Sequence, residues 1–136
     1  MANSFADPEF IVESHWLADR LNDPTVRVLD CTTYLMPPTK GGAYDVVSGR
    51  VDFEKGHIPG AAVNGVNDHN EFKSADELRV QFSDALAKPR VITYCGGGIA
   101  ASSTTMLLTT LGHNNVQLYD ASVAEWAPAP PLPMER

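Results

Sequence analysis

Hydrophobic positions along the chain follow two periods in turn, and this predicts strands interleaved with helices. Short β-branched and aromatic runs predict strands at 10–12, 26–29, 90–94 and 116–119. Apolar residues at helical spacing predict helices at 15–21, 75–86, 99–111 and 122–126, and the third of these is expected to be a buried helix. This order is typical of an α/β domain with a mainly parallel central sheet and helices on both faces.

Capping and turn residues predict where some of these elements begin and end. Ser14 is the expected N-cap of the first helix. Ser74 with Glu77 three residues later has the spacing of a capping box. Gly112 is expected to end the long helix.

Three other segments lack a strong pattern. Residues 32–55 contain paired prolines and paired glycines and show neither period, so we expect a long loop that is functional or mobile. A turn at 56–61 leads into a brief predicted strand at 62–64. The proline-rich tail at 127–136 is expected to lie extended over the surface.

Composition narrows the classes of function. The 136 residues fit a single domain over 1–136. The net charge is −7 and no two basic residues are adjacent, which argues against nucleic acid as a partner. The N-terminus shows no signal-peptide pattern and no stretch is apolar enough to span a membrane, so we expect a cytoplasmic protein that does not bind membranes. Two cysteines make neither a disulfide framework nor a metal site.

The most informative chemistry lies at Cys95, between the strand at 90–94 and the helix at 99–111. Ligands of parallel sheets bind beyond the carboxyl ends of the strands. The following helix points free N–H groups toward the turn, which favours an anionic, nucleophilic sulfur. The adjoining glycines are expected to adopt conformations closed to other residues and to let several N–H groups converge on the sulfur. The expected substrate-binding residues of this loop are Gly96, Gly97, Gly98, Ile99 and Ala100.

Three segments carry a resemblance to a known family. They are GHIPGA at 56–61 preceded by RVDFEK, RVITYCGGGIA at 90–100, and LYDASVAEW at 118–126. In this order they resemble the signatures of the rhodanese-like domain, most closely the catalytic domains of thiosulfate/3-mercaptopyruvate sulfurtransferases. The resemblance implies that Cys95 receives sulfur from a small donor as a persulfide and passes it to a thiol or cyanide. It implies no metal and no organic cofactor.

The departures from the family pattern concern the donor. Thiosulfate-specific relatives carry basic residues just after the cysteine, and mercaptopyruvate-type relatives often have a serine two positions after it, whereas this chain has Gly96 and Gly97. Arg50 lies six residues before Gly56, where mercaptopyruvate-type relatives have a substrate-binding arginine. Arg50 either holds a donor carboxylate or is a solvated surface residue.

The resemblance also bears on three further residues. Asp30 and Cys31 follow a strand that neighbours the Cys95 strand in rhodanese-like folds. Asp30 is expected to be structural, accepting hydrogen bonds from loop N–H groups. Cys31 is either a small apolar filler or a second thiol within reach of Cys95. His57 is expected to be structural, with its ring hydrogen-bonded to the backbone of the turn.

Alternatives to a small-molecule sulfurtransferase remain open at this stage. A phosphatase on the same fold would need a loop one residue longer and an arginine six residues after the cysteine, where this chain has Ala101. A persulfide carrier, or a non-catalytic binding module, would work with a protein partner. The donor, the acceptor and the oligomeric state are undetermined, and a homodimer or a protein acceptor is compatible with the sequence.

Overall fold

The computed structural model describes residues 10–41, 45–63, 74–129 and 131–136. Its strands are β1 (Val26–Asp30), β2 (Thr33–Met36), β3 (Asp45–Ser48), β4 (Ala62–Val63), β5 (Arg90–Tyr94) and β6 (Val116–Leu118). Its helices are α1 (Ser14–Ala18), α2 (Arg50–Lys55), α3 (Ala75–Gln81), α4 (Ser83–Leu86), α5 (Ile99–Thr110) and α6 (Ser122–Trp126). The predicted α/β architecture is confirmed.

The central sheet has four parallel strands in the order β4-β1-β5-β6. Strand β5 is therefore an inner strand, with β1 on one side and β6 on the other. The register of β1 and β5 ends with the pair Asp30 and Tyr94. Residues that follow these two strands consequently emerge side by side at the carboxyl edge of the sheet.

Side chains of alternate strand residues pack into two cores, one on each face of the sheet. Val91 belongs to the first core and Ile92 to the second, as the two-residue period of a strand requires. The first core is covered by α3, α4 and α5, and the second by α1 and α6. Helices thus cover both faces, which is why β5 is buried at every position from Val91 to Tyr94 instead of at alternate positions.

Several predicted elements differ from the structure in detail. The strand expected at 10–12 is reduced to one bridge between Ile11 and Leu118. The helix expected at 75–86 breaks at Phe82, although the Ser74–Glu77 capping box is present as predicted. Ser14 is not an N-cap, because Glu13 holds the extended conformation before α1 and Ser14 is already helical. Residue 64, expected to end the short strand, lies outside the described residues.

The prediction of a buried helix at 99–111 is wrong. Helix α5 buries only one side, through Ala101, Thr104 and Leu108. Ile99 is 86% exposed and Met106 is 52% exposed. The outer side of this helix carries Ile99 and Met106 among its serines and threonines, so apolar residues are not confined to the buried side. For this reason the hydrophobic pattern does not reveal that the helix is amphipathic. Gly112 follows the helix with φ of 96°, in agreement with its predicted role at the C-terminus.

The prediction of an irregular segment at 32–55 is also wrong for the residues that the structure describes. Strands β2 and β3 pair as an antiparallel hairpin, and α2 follows it. The apolar residues of β2 are exposed: Leu35 is 68% exposed and Met36 is 49% exposed. None of the hairpin side chains whose burial the structure describes belongs to either core, so the sequence had no reason to alternate between apolar and polar positions.

The C-terminal tail is docked on the second core. The Trp126 indole donates a hydrogen bond to the Pro133 carbonyl at 2.7 Å. His57 and Glu135 exchange two backbone hydrogen bonds of 2.9 Å each. The tail is not extended over its whole length as predicted, because turns occupy 127–129, and Leu132 and Met134 are half-buried against the core. The longest helix of the described segments, α5, has 12 residues, so no described helix is long enough to span a membrane.

Candidate active site

Cys95 lies at the centre of the carboxyl edge of the sheet, directly after β5. The residue is 4% exposed. Its backbone N–H donates to the Ser122 hydroxyl at 3.1 Å, and its carbonyl accepts from the Val123 N–H at 3.1 Å. The next carbonyl, that of Gly96, accepts from the Ala124 N–H at 3.0 Å. Three hydrogen bonds therefore fix the start of the cysteine loop to the start of α6.

The sulfur atom has one backbone donor. The Gly98 N–H donates to Cys95 Sγ at 3.0 Å. This is the contact that an anionic sulfur, whether thiolate or persulfide, needs when it is held out of water. The expected convergence of several N–H groups is not found, because no other described residue donates a hydrogen bond to this sulfur.

The three glycines of the loop have different roles. Gly98 has φ of 92°, and a Cβ there would lie 2.4 Å from the Asp120 carbonyl oxygen. Only glycine fits this position. Gly96 and Gly97 are outside the left-handed region, and a Cβ on either would meet no atom within 4 Å. The expectation that all three adopt conformations closed to other residues is thus wrong for these two.

Gly96 and Gly97 instead open the site. Both are exposed, whereas Cys95 and Gly98 are buried. Their missing side chains leave these two positions of the loop open to solvent. Ile99 and Ala100, the other predicted substrate-binding residues, begin α5 beside this opening: Ile99 projects into solvent and Ala100 packs against the first core.

Ser122 is a site residue that the sequence reading missed. It is fully buried, its hydroxyl accepts from the Cys95 N–H, and it donates to the Tyr119 carbonyl at 2.8 Å. Its φ of 55° is unusual for a residue with a side chain. The sequence predicts Ser122 only as the first residue of a short helix, and the structure confirms that position, with Ala121 as the N-cap. The one available signal for this role was that Ser122 is a polar residue inside the 118–126 segment, which resembles a family signature.

Replacing Ser122 by alanine is expected to lower the free energy of unfolding by about 2 kcal/mol, because a buried N–H and a buried carbonyl lose their partner. Ser122→Gly is expected to lose about 1 kcal/mol less, since glycine adopts the positive φ without strain. Urea denaturation monitored by tryptophan fluorescence measures both. The control is Ser102→Ala, which removes an exposed hydroxyl bonded to Ile99 and should be nearly neutral. Equal losses for Ser122→Ala and Ser102→Ala would contradict this role.

A buried polar network borders the site at β1 and β5. Asp30, 4% exposed, accepts from the Thr32 N–H at 2.9 Å and from the Tyr94 hydroxyl at 2.8 Å. The Tyr94 oxygen accepts in turn from the Ile58 N–H at 3.2 Å. Burial raises the pKa of Tyr94 far above its usual value, and the nearby Asp30 carboxylate raises this pKa further. Tyr94 stays a neutral phenol, so this network joins the two strands to the 56–61 turn, and Asp30 accepts a loop N–H as expected.

Cys31 lies at the same edge. It is 2% exposed, its N–H donates to the Tyr94 carbonyl at 2.7 Å, and its Sγ is 3.7 Å from the Leu29 carbonyl oxygen. Cys31 and Cys95 belong to the same core, and no disulfide joins them. Both thiols therefore lie in the first core, at the carboxyl edge of the sheet.

Both ring nitrogens of His57 are engaged by protein. Nδ1 lies 2.8 Å from the Phe53 carbonyl oxygen, and Nε2 lies 3.3 Å from a Glu135 carboxylate oxygen. The ring also stacks on the Phe53 ring with centroids 3.6 Å apart. These contacts fasten α2, the turn after it and the tail to one another, which is a structural role.

Arg50 is the first residue of α2 and is exposed. The preceding Gly49 donates to the Thr32 carbonyl at 2.8 Å, and a Cβ on Gly49 would lie 2.6 Å from the Thr32 methyl carbon. This close approach holds the start of α2 against the residue that follows Cys31. No hydrogen bond or ion pair joins the Arg50 guanidinium to another residue that the structure describes.

Comparison with known proteins agrees with this geometry. A family model described as the rhodanese-like domain matches residues 13–129. The 3-mercaptopyruvate sulfurtransferase of Escherichia coli is 30% identical over 139 residues, which cover 98% of this chain and 47% of that protein. The mitochondrial thiosulfate/3-mercaptopyruvate sulfurtransferase 1 of Arabidopsis thaliana is 36% identical over 93 residues, covering 63% of this chain and 24% of that protein. The chain thus spans about half or less of these relatives.

Solved structures share the fold at lower identity. SseA from Escherichia coli, a 3-mercaptopyruvate sulfotransferase with the rhodanese fold, superposes with a TM-score of 0.74 at 20% identity, over 93% of this chain and 50% of that one. EanB in a cysteine-persulfide state with ergothioneine superposes with a TM-score of 0.67 at 19% identity, over 96% of this chain and 33% of that one. The predicted rhodanese-like fold class is confirmed.

Proposed function

Because this chain belongs to the rhodanese-like domain family, we propose that it is a sulfurtransferase in which Cys95 carries a sulfur atom as a persulfide. The observation that carries the proposal is the position of Cys95 Sγ, which accepts a hydrogen bond of 3.0 Å from Gly98 behind a loop opened by two exposed glycines. This arrangement suits a nucleophile that must hold negative charge and still be reached by a small donor.

The proposed reaction has two steps. With 3-mercaptopyruvate, Cys95 Sγ bonds to the donor sulfur, the donor C–S bond breaks, and its electron pair stays on the carbon that takes up a proton to give pyruvate. An acceptor thiolate or cyanide then attacks the outer sulfur of the persulfide, and Cys95 leaves as a thiolate. The Gly98 N–H, which donates to Cys95 Sγ, stabilises negative charge on the cysteine sulfur in both steps.

The charges around the loop favour a carboxylate donor over thiosulfate. Gly96 and Gly97 supply no cation beside the sulfur, and the chain as a whole carries a net charge of −7. A doubly charged thiosulfate would meet little compensating charge at the opening. Arg50 is one guanidinium at the same edge of the fold, which matches a donor with a single carboxylate.

The test supplies the reduced protein with 3-mercaptopyruvate or thiosulfate and follows two quantities. The first is the intact mass, which gains one sulfur when the persulfide forms. The second is thiocyanate released on addition of cyanide. We expect both signals, stronger with 3-mercaptopyruvate. A sulfur adduct that cyanide discharges only slowly would indicate a carrier for a protein acceptor. Absence of both signals would overturn the proposal in favour of a binding module.

Arg50→Ala is expected to raise KM for 3-mercaptopyruvate by about tenfold while kcat changes little, because the guanidinium contributes binding that is equal in the ground and transition states. Steady-state thiocyanate formation measures both constants. Arg50→Lys should recover part of the loss, since the charge is kept without the bidentate geometry. Arg79→Ala is the control, an exposed arginine on α3 paired with Asp76. An Arg50→Ala enzyme with the KM of the control would remove Arg50 from the site.

A further inference from the structure

The sheet register places the two cysteines of the chain side by side. Asp30 and Tyr94 are the last registered pair of β1 and β5, and each is followed by a cysteine. The Cys31 N–H donates to the Tyr94 carbonyl at 2.7 Å, which holds Cys31 against the end of β5, directly before Cys95. Neighbouring strands lie about 4.8 Å apart, and this spacing falls within the roughly 4.4–6.8 Å between Cα atoms that a disulfide spans.

Both thiols also point to the same side of the sheet. Tyr94 packs in the second core and its hydroxyl bonds to Asp30, whereas Cys31 and Cys95 both belong to the first core. Residues at matching positions on one face of neighbouring strands have side chains in contact range. The Cys31 thiol therefore approaches Cys95 from inside the protein, on the side away from the exposed Gly96 and Gly97.

We propose that Cys31 is a resolving thiol that discharges the Cys95 persulfide inside the protein. This role depends on the proposed function in one respect only: the proposed sulfur transfer is the physiological source of the Cys95 persulfide. The burial of Cys31 favours this role. With 2% exposure, Cys31 is shielded from donors and oxidants that enter through the loop.

The step balances with the groups present. Cys31 Sγ bonds to Cys95 Sγ, and the bond between Cys95 Sγ and the outer sulfur breaks. The outer sulfur leaves with that electron pair and with the Cys31 proton, as hydrosulfide. The outer sulfur is reduced, and the two cysteines are left as an intramolecular disulfide. A dithiol reductant, small or protein-borne, then returns both cysteines to thiols and takes the disulfide onto itself.

This step would give the protein a second output. When an acceptor reaches the opening, the outer sulfur is transferred intact. When none does, Cys31 releases it as sulfide and the Cys95–Cys31 disulfide stops further loading. The protein then depends on a dithiol, rather than on any single thiol, to turn over again.

The experiment installs the persulfide chemically, so that it does not depend on turnover of any donor. Reduced protein, without added reductant or oxygen, is treated with inorganic polysulfide and desalted. Sulfide release and intact mass are then followed over time for the wild type and for Cys31→Ala. We expect the wild type to release its sulfur and end two hydrogens lighter than the reduced protein. Cys31→Ala should keep the sulfur adduct and release sulfide at least about tenfold more slowly.

Peptide mapping of the wild type gives a readout that needs no variant, because the expected disulfide links the peptides containing Cys31 and Cys95. A wild type that retains its adduct without this linkage would overturn the proposal. So would equal rates of sulfide release from the two proteins. If donors fail to load Cys95 but the polysulfide-loaded wild type forms the linkage, the proposed donor chemistry fails and the resolving role stands.

Discussion

Replacement of Cys95 by serine is expected to abolish sulfur transfer, lowering turnover by at least about a thousandfold, as removal of a covalent nucleophile does in other enzymes. A serine hydroxyl is un-ionised near neutral pH and cannot hold a sulfur atom as a persulfide. The variant should also show no sulfur adduct with either donor. Thiocyanate formation and intact mass measure the two effects on the same sample.

Folding should survive this substitution. The serine oxygen can accept the Gly98 N–H in place of sulfur, and the backbone bonds to Ser122 and Val123 do not involve the side chain. We expect the free energy of unfolding to change by less than about 1 kcal/mol. Cys31→Ala serves as the matched cysteine substitution, since it should still load sulfur at Cys95. A Cys95→Ser protein that forms thiocyanate at the rate of Cys31→Ala would place the chemistry elsewhere.

Gly98→Ala is expected to be the most destabilising single change in the cysteine loop. The added Cβ would lie 2.4 Å from the Asp120 carbonyl oxygen and 2.7 Å from its carboxylate Oδ1, at φ of 92°. Left-handed strain and forced displacement of the backbone together cost about 3 kcal/mol. For a domain of this length, that loss corresponds to a fall in Tm of about 10 °C. Thermal and urea denaturation measure it.

Gly97→Ala is the matched control for Gly98→Ala. Its Cβ would point into open space at ordinary backbone angles, so stability should be nearly unchanged. A lower kcat/KM in a fully stable Gly97→Ala would show that the missing side chain keeps the opening accessible. Similar Tm values for the two variants would refute the distinction drawn between these glycines.

The parts of the fold that could be predicted are those determined by residues close to one another in the sequence. The run at 90–94 is rich in β-branched and aromatic residues because β5 is covered on both faces, and Ser74 and Glu77 interact within one helical turn. The cysteine loop could be located because a strand, a glycine-rich turn and a helix follow one another directly. Each of these signals is contained in about ten consecutive residues.

The parts that could not be predicted depend on distant contacts. Residue 49 must be a glycine because Thr32 leaves no room for a side chain there. The sequence around residue 49 gives no sign of this contact. Ser122 is a site residue only because Cys95 needs an acceptor for its N–H. The hairpin β2–β3 is stabilised by strand pairing without burial of Leu35 or Met36, and such pairing leaves no periodic pattern.

The bonds around Cys95 also determine when the site can form during synthesis. The polar network beside it joins residues 64 positions apart, and its N–H is satisfied by a residue 27 positions later. Contacts between such distant positions form only after large loops have closed. A growing chain therefore lacks the bonds from Ser122 and Val123 to Cys95 until α6 has been synthesised. We expect the Cys95 thiol to be most accessible to oxidants during that interval, and docking of α6 to end it.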